Sequence, residues 1–571
     1  MAVVVVAIFG CTPERQHAPE PLTPALAKLL NYYDTNYDPS SQMLCIEFPS
    51  PGYHSNLPSG SRVHPTRESL IYALALLQRG RSDDVKRSEV IIHKVIQLQD
   101  KDSSSATFGV WPWHLEEPLE EMASPDFNWA DFCGTLIAHI LVKHSPQLPG
   151  GLQQEMRACL RHATSAIRKR DVGAEYTNVA VLGGGVCAVA GELLDDKELL
   201  RYGRQRLQKA VEHVNYHGTF NEYNSPPYCK VVIAECERTL HLVRDAETRG
   251  AAESLRRTAW KVVAESFHAG TQQWAGPHAR TSRERLREET ADFLSTRIGL
   301  PIETHPSMVG GEPRGSAVVK PLPCPEELVP RFRDLRAEPS QFARTFIRRD
   351  PESHSISGTT WIEKEFCLGS VNHSSFWTQR KPLIAYWKTS DDPAVVFRLR
   401  FLHDGKDFAS MGIHTSQEGP RTLSLFHAVP HRGDWHRTLD RPTGGIFQAS
   451  DLRIRCQLRG NAVKAKVVGA GKYSLLAGEH RAVIHSTRGR FKDRDIVWET
   501  DGDDESVYWD AICHNGQPRA FKFDDELEIA LAIGVELLGV DQPISDQRPE
   551  LNETGTEAKW QVSNGRMIRV P

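Results

Sequence analysis

The sequence predicts an α+β protein of two large units: an N-terminal (α/α) toroid, that is, an incomplete α/α barrel, followed by an antiparallel β-sandwich. Three observations predict it. Apolar residues recur at helical spacing from about residue 24 to 300. Seven prolines then fall between Pro301 and Pro330. From about residue 354 the apolar runs become short, alternating and rich in β-branched and aromatic residues. Helices followed by strands, instead of alternating with them, define the α+β class.

The periodicity places helices near 24–36, 66–80, 84–99, 128–143, 151–169, 176–194, 196–214, 229–245, 250–268 and 281–297. Their connections are mostly short, which favours antiparallel hairpins. Lengths vary and no fixed-period repeat occurs, so a ring of hairpins fits better than a regular solenoid. Residues 1–300 therefore form the helical unit and 301–353 a Pro-rich linker. Residues 354–571 form the sandwich, with strands at Thr359–Ile362, Pro382–Trp387, Ala394–Leu399 and Asp451–Cys456.

Composition narrows the partners. A length of 571 residues suits about four ordinary domains, or two large ones. Lys+Arg is 69 against Asp+Glu 73, so no whole-chain argument points to nucleic acid or an anionic membrane, and no nucleic-acid partner is expected. The eleven cysteines are scattered singly with no CxxC, and read as reduced core thiols. The apolar opening Ala2–Gly10 is shorter than the roughly 20 residues a membrane helix needs, so no transmembrane segment is expected. Its end at Cys11 is similar to a lipoprotein cleavage box. It lacks a basic start and carries Phe9 where a small residue is usual, so it reads as a buried strand or a ragged start. Compartment and oligomeric state are not fixed by these features.

Four interhelical segments carry more chemistry than a turn requires. The first is Asn215–Tyr228, which packs Glu222, Tyr223, Asn224 and Tyr228 around a Pro-Pro stop. The second holds Trp111, Trp113 and His114, followed by Asp126, Asn128, Trp129 and Asp131. Asn178, just after Tyr176, opens an apolar helix that contains Gly183–Gly185. The fourth runs from Trp274 through His278 and Arg280 to Arg283. Each has a plain reading: Asn178 as a helix cap, Trp111 and Trp113 as core, the arginines as a solvated helix start. The triple glycine lies inside a helix instead of after a strand, so it is no phosphate loop. In a ring of hairpins alternate connections gather at one end, where the four segments converge on a cleft.

The Gly218–Tyr228 loop resembles the loop that carries catalytic residues in the chondroitin AC/hyaluronate lyase group of polysaccharide lyases. That group and the related heparinase II/III and alginate lyases share a helical toroid followed by antiparallel sheets. Asn178 and Gly276–Arg280 stand in the matching order. The group's catalytic His falls on Tyr223 here, and its catalytic Tyr nearer Val232 than Tyr228. The resemblance implies a lyase that cleaves an acidic poly- or oligosaccharide by β-elimination, without a cofactor. It also allows a structural metal in the β half.

Elimination beside a uronate removes a weakly acidic C5 proton, so a neighbouring group must offset the carboxylate charge as the anion develops. Asn178, His278 and Arg280 suit that task. Tyrosine can serve as base or acid if a cation lowers its ordinary pKa of about 10. Tyr228 is the first candidate and Tyr223 the second. Trp111, Trp113 and Trp129 offer flat faces for sugar rings, with Asn128, Glu222 and Asn224 as polar contacts. From the β half His373, Gln379 and Arg380 can reach over the toroid mouth.

Three alternatives compete. A glycoside hydrolase would pair Glu222 with Asp131 or Asp126, about 5–5.5 Å apart for retention or 6.5–9.5 Å for inversion. The same residues would serve an eliminating or dehydrating enzyme acting on a small metabolite. A glycan-binding protein would keep the cleft without turnover. The cluster His427, His431, Asp434 and His436 matches no closed zinc spacing, so no metal ligand is assigned. No G-x-S-x-G follows a predicted strand, which argues against a serine nucleophile.

Overall fold

The computed structural model describes residues 22–48, 54–310, 315–429, 433–436, 440–523, 527–562 and 566–571. The segment Ala2–Cys11 and His431 lie outside the described residues. The chain is α+β, a helical half followed by a strand-rich half.

The helical half contains α1 (Pro24–Asn36), α2 (Thr66–Arg79), α3 (Ser82–Gln97), α4 (Asn128–His144), α5 (Gly150–Arg170), α6 (Thr177–Leu193), α7 (Lys197–His217), α8 (Pro226–Leu242), α9 (Ala246–Ser266) and α10 (Glu288–Ile298). Four hairpins, α2/α3, α4/α5, α6/α7 and α8/α9, pack side by side. Helices α2, α4, α6, α8 and α10 touch in sequence as an inner ring, while α3 meets α5 and α7 meets α9 outside. The inner helix α6 is buried on nearly every face, as expected of a helix that is apolar all round. The Gly183–Gly185 run serves that burial: a Cβ on Gly184 would press Leu207, and one on Gly203 would lie 2.4 Å from the Ala188 amide. The glycines let α6 and α7 approach closely.

Three helix starts differ from the periodicity by three residues or more; α9 begins at Ala246, four residues before the expected 250. α8 begins at Pro226, three residues earlier than predicted, because Pro226 and Pro227 occupy its first turn, where a missing N–H costs nothing. α10 begins at Glu288 instead of 281; residues 280–287 run as a loop between the two halves.

The stretch 301–353 is not a linker throughout. It holds short 3-10 turns at Pro306–Met308, Gly315–Val318 and Glu326–Leu328, and from Ser340 to Ile347 it is the edge strand of a sheet. That strand, SQFARTFI, is only partly buried, as an edge allows, and its polar residues weaken the alternation.

The strand-rich half is built on two large antiparallel sheets. The larger runs in the order Val497–Gly502, Ser506–Lys522, Ile446–Arg459, Val395–His403, Leu383–Trp387, Phe366–Val371, Ile356–Ile362, Ser340–Ile347. The other runs His373–Ser375, Met411–Glu418, Arg421–Ala428, Ala532–Gly539, His480–Ser486, Lys472–Ala477, Lys464–Gly469. Alternate residues of both, among them Phe397, Leu399 and Phe401 against Ile413, Ile484 and Val535, share one apolar core.

The halves join through the backbone. His278 and Lys381 exchange both of their main-chain hydrogen bonds, at 3.1 and 2.9 Å, and the Thr281 amide donates to the Gln379 carbonyl at 2.7 Å. The loop after Trp274 thus becomes an extra strand-like rung on the sandwich, with Ala275 packed among Ile362, Cys367 and Ile384 while His278 and Arg280 line the cavity.

Candidate active site

The lumen of the helical ring is a cavity of about 630 Å³. Its mouth is framed by Pro226, Tyr228, Arg280, Arg283 and Gln379, and its walls come from the inner helices. Seven basic side chains line it (Arg67, Lys230, Arg238, Arg280, Arg283, Arg285 and Arg287) against four acidic ones (Glu68, Glu235, Glu284 and Glu289). Arg67 pairs with Glu68, Lys230 with Glu289 and Arg238 with Glu235. In the 280–287 loop Arg280 pairs with Glu222 and Arg285 with Asp392, while Glu284 pairs with Arg398 and Arg459 of the sandwich.

Arg280 organises the mouth. Its Nη2 donates to the Tyr228 hydroxyl at 2.7 Å, its Nη1 to Glu222 Oε1 at 2.9 Å and its Nε to Gln379 Oε1 at 2.8 Å. The guanidinium also lies over the rings of Tyr228 and Trp377, 4.7 and 4.8 Å from their centroids. Gln379, on the sandwich, completes a contact that the helical half alone cannot make. Tyr228 stands in the first turn of α8, where the Ser225 side chain caps the helix by accepting from the Tyr228 amide and donates its own hydroxyl to the Arg280 carbonyl at 2.6 Å. One serine thus ties the helix that carries Tyr228 to the loop that carries Arg280.

Asn178 lies on the cavity wall in the first turn of α6, 3% exposed, and its Oδ1 has no hydrogen-bond partner among the described residues. A buried amide oxygen left open beside a cavity is costly unless something else satisfies it. His278 also lines the cavity. Its Nδ1–H donates to the Asn224 carbonyl at 2.7 Å, and burial pushes its pKa down to about 4. It is therefore neutral near pH 7 and supplies no imidazolium, contrary to one role expected for it.

The other expected residues divide. Trp113 lines the cavity and stacks on Trp129 at 5.0 Å. Trp129 stands behind it, donating to Thr66 and covered by Arg67. Trp111 is fully buried core, its indole donating to the Val95 carbonyl. Asn128 accepts from Arg170 at 2.5 Å and donates to the Tyr176 hydroxyl, away from the lumen. Tyr223 stacks on Phe346 with centroids 4.0 Å apart in a small buried cluster, and burial raises its pKa; it does not line the cavity. Asn224 is spent on structure: its Nδ2 donates to the carbonyls of Ala275 and Pro277, and its Oδ1 accepts from the Trp274 indole. His373 packs edge-on against His414, and Arg380 donates to Ser375, both outside the cavity wall.

Neither carboxylate proposed as a partner for Glu222 lines the cavity. Asp126 accepts from the Asn128 amide and the Trp113 indole. Asp131 is buried against Gly183, where a Cβ would lie 2.4 Å from its Oδ1, and burial raises its pKa to about 7. In the β half Asp434 pairs with His403 at 2.9 Å, His427 packs on His414 and His436 on Trp377, so the described members of that histidine group have separate partners. Among the described residues no group of three or more His, Cys, Asp or Glu side chains is arranged to hold a metal ion. All ten described cysteines are free thiols, nine of them buried. No helix among the described residues is long and apolar enough to cross a membrane.

Sequence reasoning missed Arg285, Arg287, Lys230 and Glu284. All fall in stretches read as the start of a helix or its interior. Only the i, i+3, i+4 stripe 227–230–231–234–235–238 on α8 marks a lumen-facing side.

Residues 25–293 match a family model described as a domain of unknown function (DUF8769). No curated protein matches the sequence. Among solved structures the chain is similar to a heparinase III, at 10% identity over 96% of this chain and 90% of that one, with a TM-score of 0.39. It is also similar to the heparan sulfate lyase HepC from Pedobacter heparinus, at 8% identity over 97% and 90%, with a TM-score of 0.40.

Proposed function

We propose that this protein is a lyase that cleaves a uronate-containing glycan by β-elimination, with Tyr228 as the proton-transferring group. The observation that carries the reading is the Arg280 guanidinium held 2.7 Å from the Tyr228 hydroxyl at the mouth of a cavity lined by seven basic and four acidic side chains. A cation at that distance favours the phenolate and so brings a tyrosine toward the range in which it can take a proton. The same guanidinium offsets a substrate carboxylate as negative charge moves onto it during removal of the C5 proton, and Asn178 on the cavity wall can donate to it only through its Nδ2–H. The phenol formed in that step can return its proton to the leaving glycosidic oxygen, so one residue serves both steps. Glu222 and Gln379 hold Arg280 in place, Trp113 offers a face to a sugar ring, and His278 contributes as a neutral group that fixes the loop. The reading needs no cofactor.

Hydrolysis is supported less well. It needs two carboxyl groups across the sugar, and neither Asp126 nor Asp131 lines the cavity.

The test is incubation with a panel of acidic polysaccharides while following the ultraviolet absorbance of an unsaturated uronate. We expect a steady rise with at least one of them. Tyr228→Phe should lower kcat by about 10²–10⁴-fold, the usual worth of a positioned acid–base group, while saccharide affinity changes little. Full activity in that variant, or new reducing ends with no absorbance rise, would overturn the reading.

A further inference from the structure

The depth of the lumen determines which part of a glycan can enter. We infer that the site binds the end of an acidic saccharide chain and not its interior, because the lumen behind Tyr228 is blind. The inference rests on the reading proposed above.

From Tyr228 the cavity follows one face of α8 to Arg238, ten residues on, or about 15 Å at 1.5 Å per residue. At that level the wall is tied across from α8 to α4. Thr135 donates to Glu235 at 3.1 Å, and Arg238 Nη1 donates to His139 Nδ1 at 2.7 Å. A polymer running straight through would have to break both.

The far end is also closed by the chain that follows the helical ring. Gly315 and Ser316 lie on the cavity wall. Val318 is buried in the apolar core shared by the first six helices, and its neighbour Val319 in the core formed mainly by the last four. Gln78, in the last turn of α2, donates to the Val318 carbonyl at 2.9 Å. His241, in the last turn of α8, donates through Nε2 to the Lys320 carbonyl at 2.9 Å. Both helix ends lie opposite the mouth, since α8 begins there with Pro226. Gly315, beside Ile71, and Ser316, beside Glu289, stand higher on the wall, and residues 318–320 strap the bottom of the ring from α2 to α8.

A chain end entering past Arg280 meets Lys230 one turn down and Arg238 near the floor, each beside its own carboxylate. Such pairs can bind hydroxyl and acidic groups of the end units. An interior segment would need an exit that the strap denies.

The experiment counts binding sites. Wild-type protein is titrated calorimetrically with hyaluronan, alginate and heparan sulfate at constant saccharide mass, each as a short oligomer and as a long polymer, near physiological salt. Ends as the ligand predict that binding capacity per unit mass falls in inverse proportion to chain length. Capacity per mass independent of length would overturn the inference. Failure to bind any of these saccharides would overturn it together with the lyase reading. End-proportional binding without an unsaturated product would support the inference and sink the lyase reading alone.

Discussion

At Asn224 the backbone sits in the left-handed region, φ 44°, and the side-chain amide and main-chain carbonyl are all hydrogen-bonded. Two amide hydrogens reach the Ala275 and Pro277 carbonyls, the amide oxygen accepts from Trp274, and the main-chain carbonyl accepts from His278. Asn is one of the few residues that tolerates this conformation while offering both donors and an acceptor. Asn224→Asp keeps the size but replaces the donors with charge facing two carbonyls. We expect a lower unfolding midpoint, with a cost of about 1–3 kcal/mol for each group left unpaired. Asn224→Gly suits the backbone but lacks the amide, so if strain alone mattered it would be as stable as wild type; we expect it to be destabilised as well. Denaturant unfolding of the two variants separates these outcomes. The sequence marked Asn224 as part of a site because polar and aromatic neighbours surround it. Whether such a residue faces a ligand or its own loop depends on partners some fifty positions away, which spacing does not reveal. The same limit applies to Trp111 and Tyr223, which share a composition with lining residues and sit one layer behind them.

Helix starts decide how the site is assembled. The register of α8 places Tyr228 in its first turn, and the Ser225 cap joins that turn to Arg280. Ser225→Ala should cost about 1 kcal/mol of stability through the lost cap. It should also loosen the Tyr228–Arg280 contact, so kcat falls more than KM rises. Ser225→Thr keeps the hydroxyl and is expected to restore most of the activity. Steady-state kinetics of both variants, with unfolding curves, check this; equal kcat in Ser225→Ala and wild type would remove Ser225 from the positioning of Arg280. The hydrophobic period found every long helix because each buries one face or more. It could not find the 280–287 loop, whose four arginines and one glutamate mimic an exposed helix start. That loop is held instead by the sandwich, where Arg285 donates to the carbonyls of Ala394 and Arg459.

At the scale of the whole molecule the two-unit plan was legible, since the change from helical to alternating period needs no knowledge of contacts. The joint between the units was not, because its partners are far apart in sequence. Glu284 of the helical half meets Arg398, 114 positions on, and Arg459, 175 positions on, both from the larger sheet; the Arg459 contact is 3.0 Å. These arginines hold the Glu284 pKa down to about 2 despite the burial that opposes it. The unfolded value is about 4.3. A carboxyl depressed on folding stabilises fully above its unfolded pKa and loses that contribution as pH falls toward the folded one. The joint should therefore weaken between about pH 4.3 and 2, and hold at neutral pH. Glu284→Gln removes the charge and leaves Arg459 without this carboxylate, while Arg398 keeps only Asp407 at 3.5 Å. Breaking a buried pair in this way costs about 3–5 kcal/mol, so the variant should unfold earlier at pH 7, with the sandwich and the ring melting as separate transitions. Because the glutamine cannot titrate, the gap between wild type and variant should close as pH falls through that window. Calorimetric scans from pH 7 down to pH 2 measure it, and curves that stay parallel would show that Glu284 does not couple the halves.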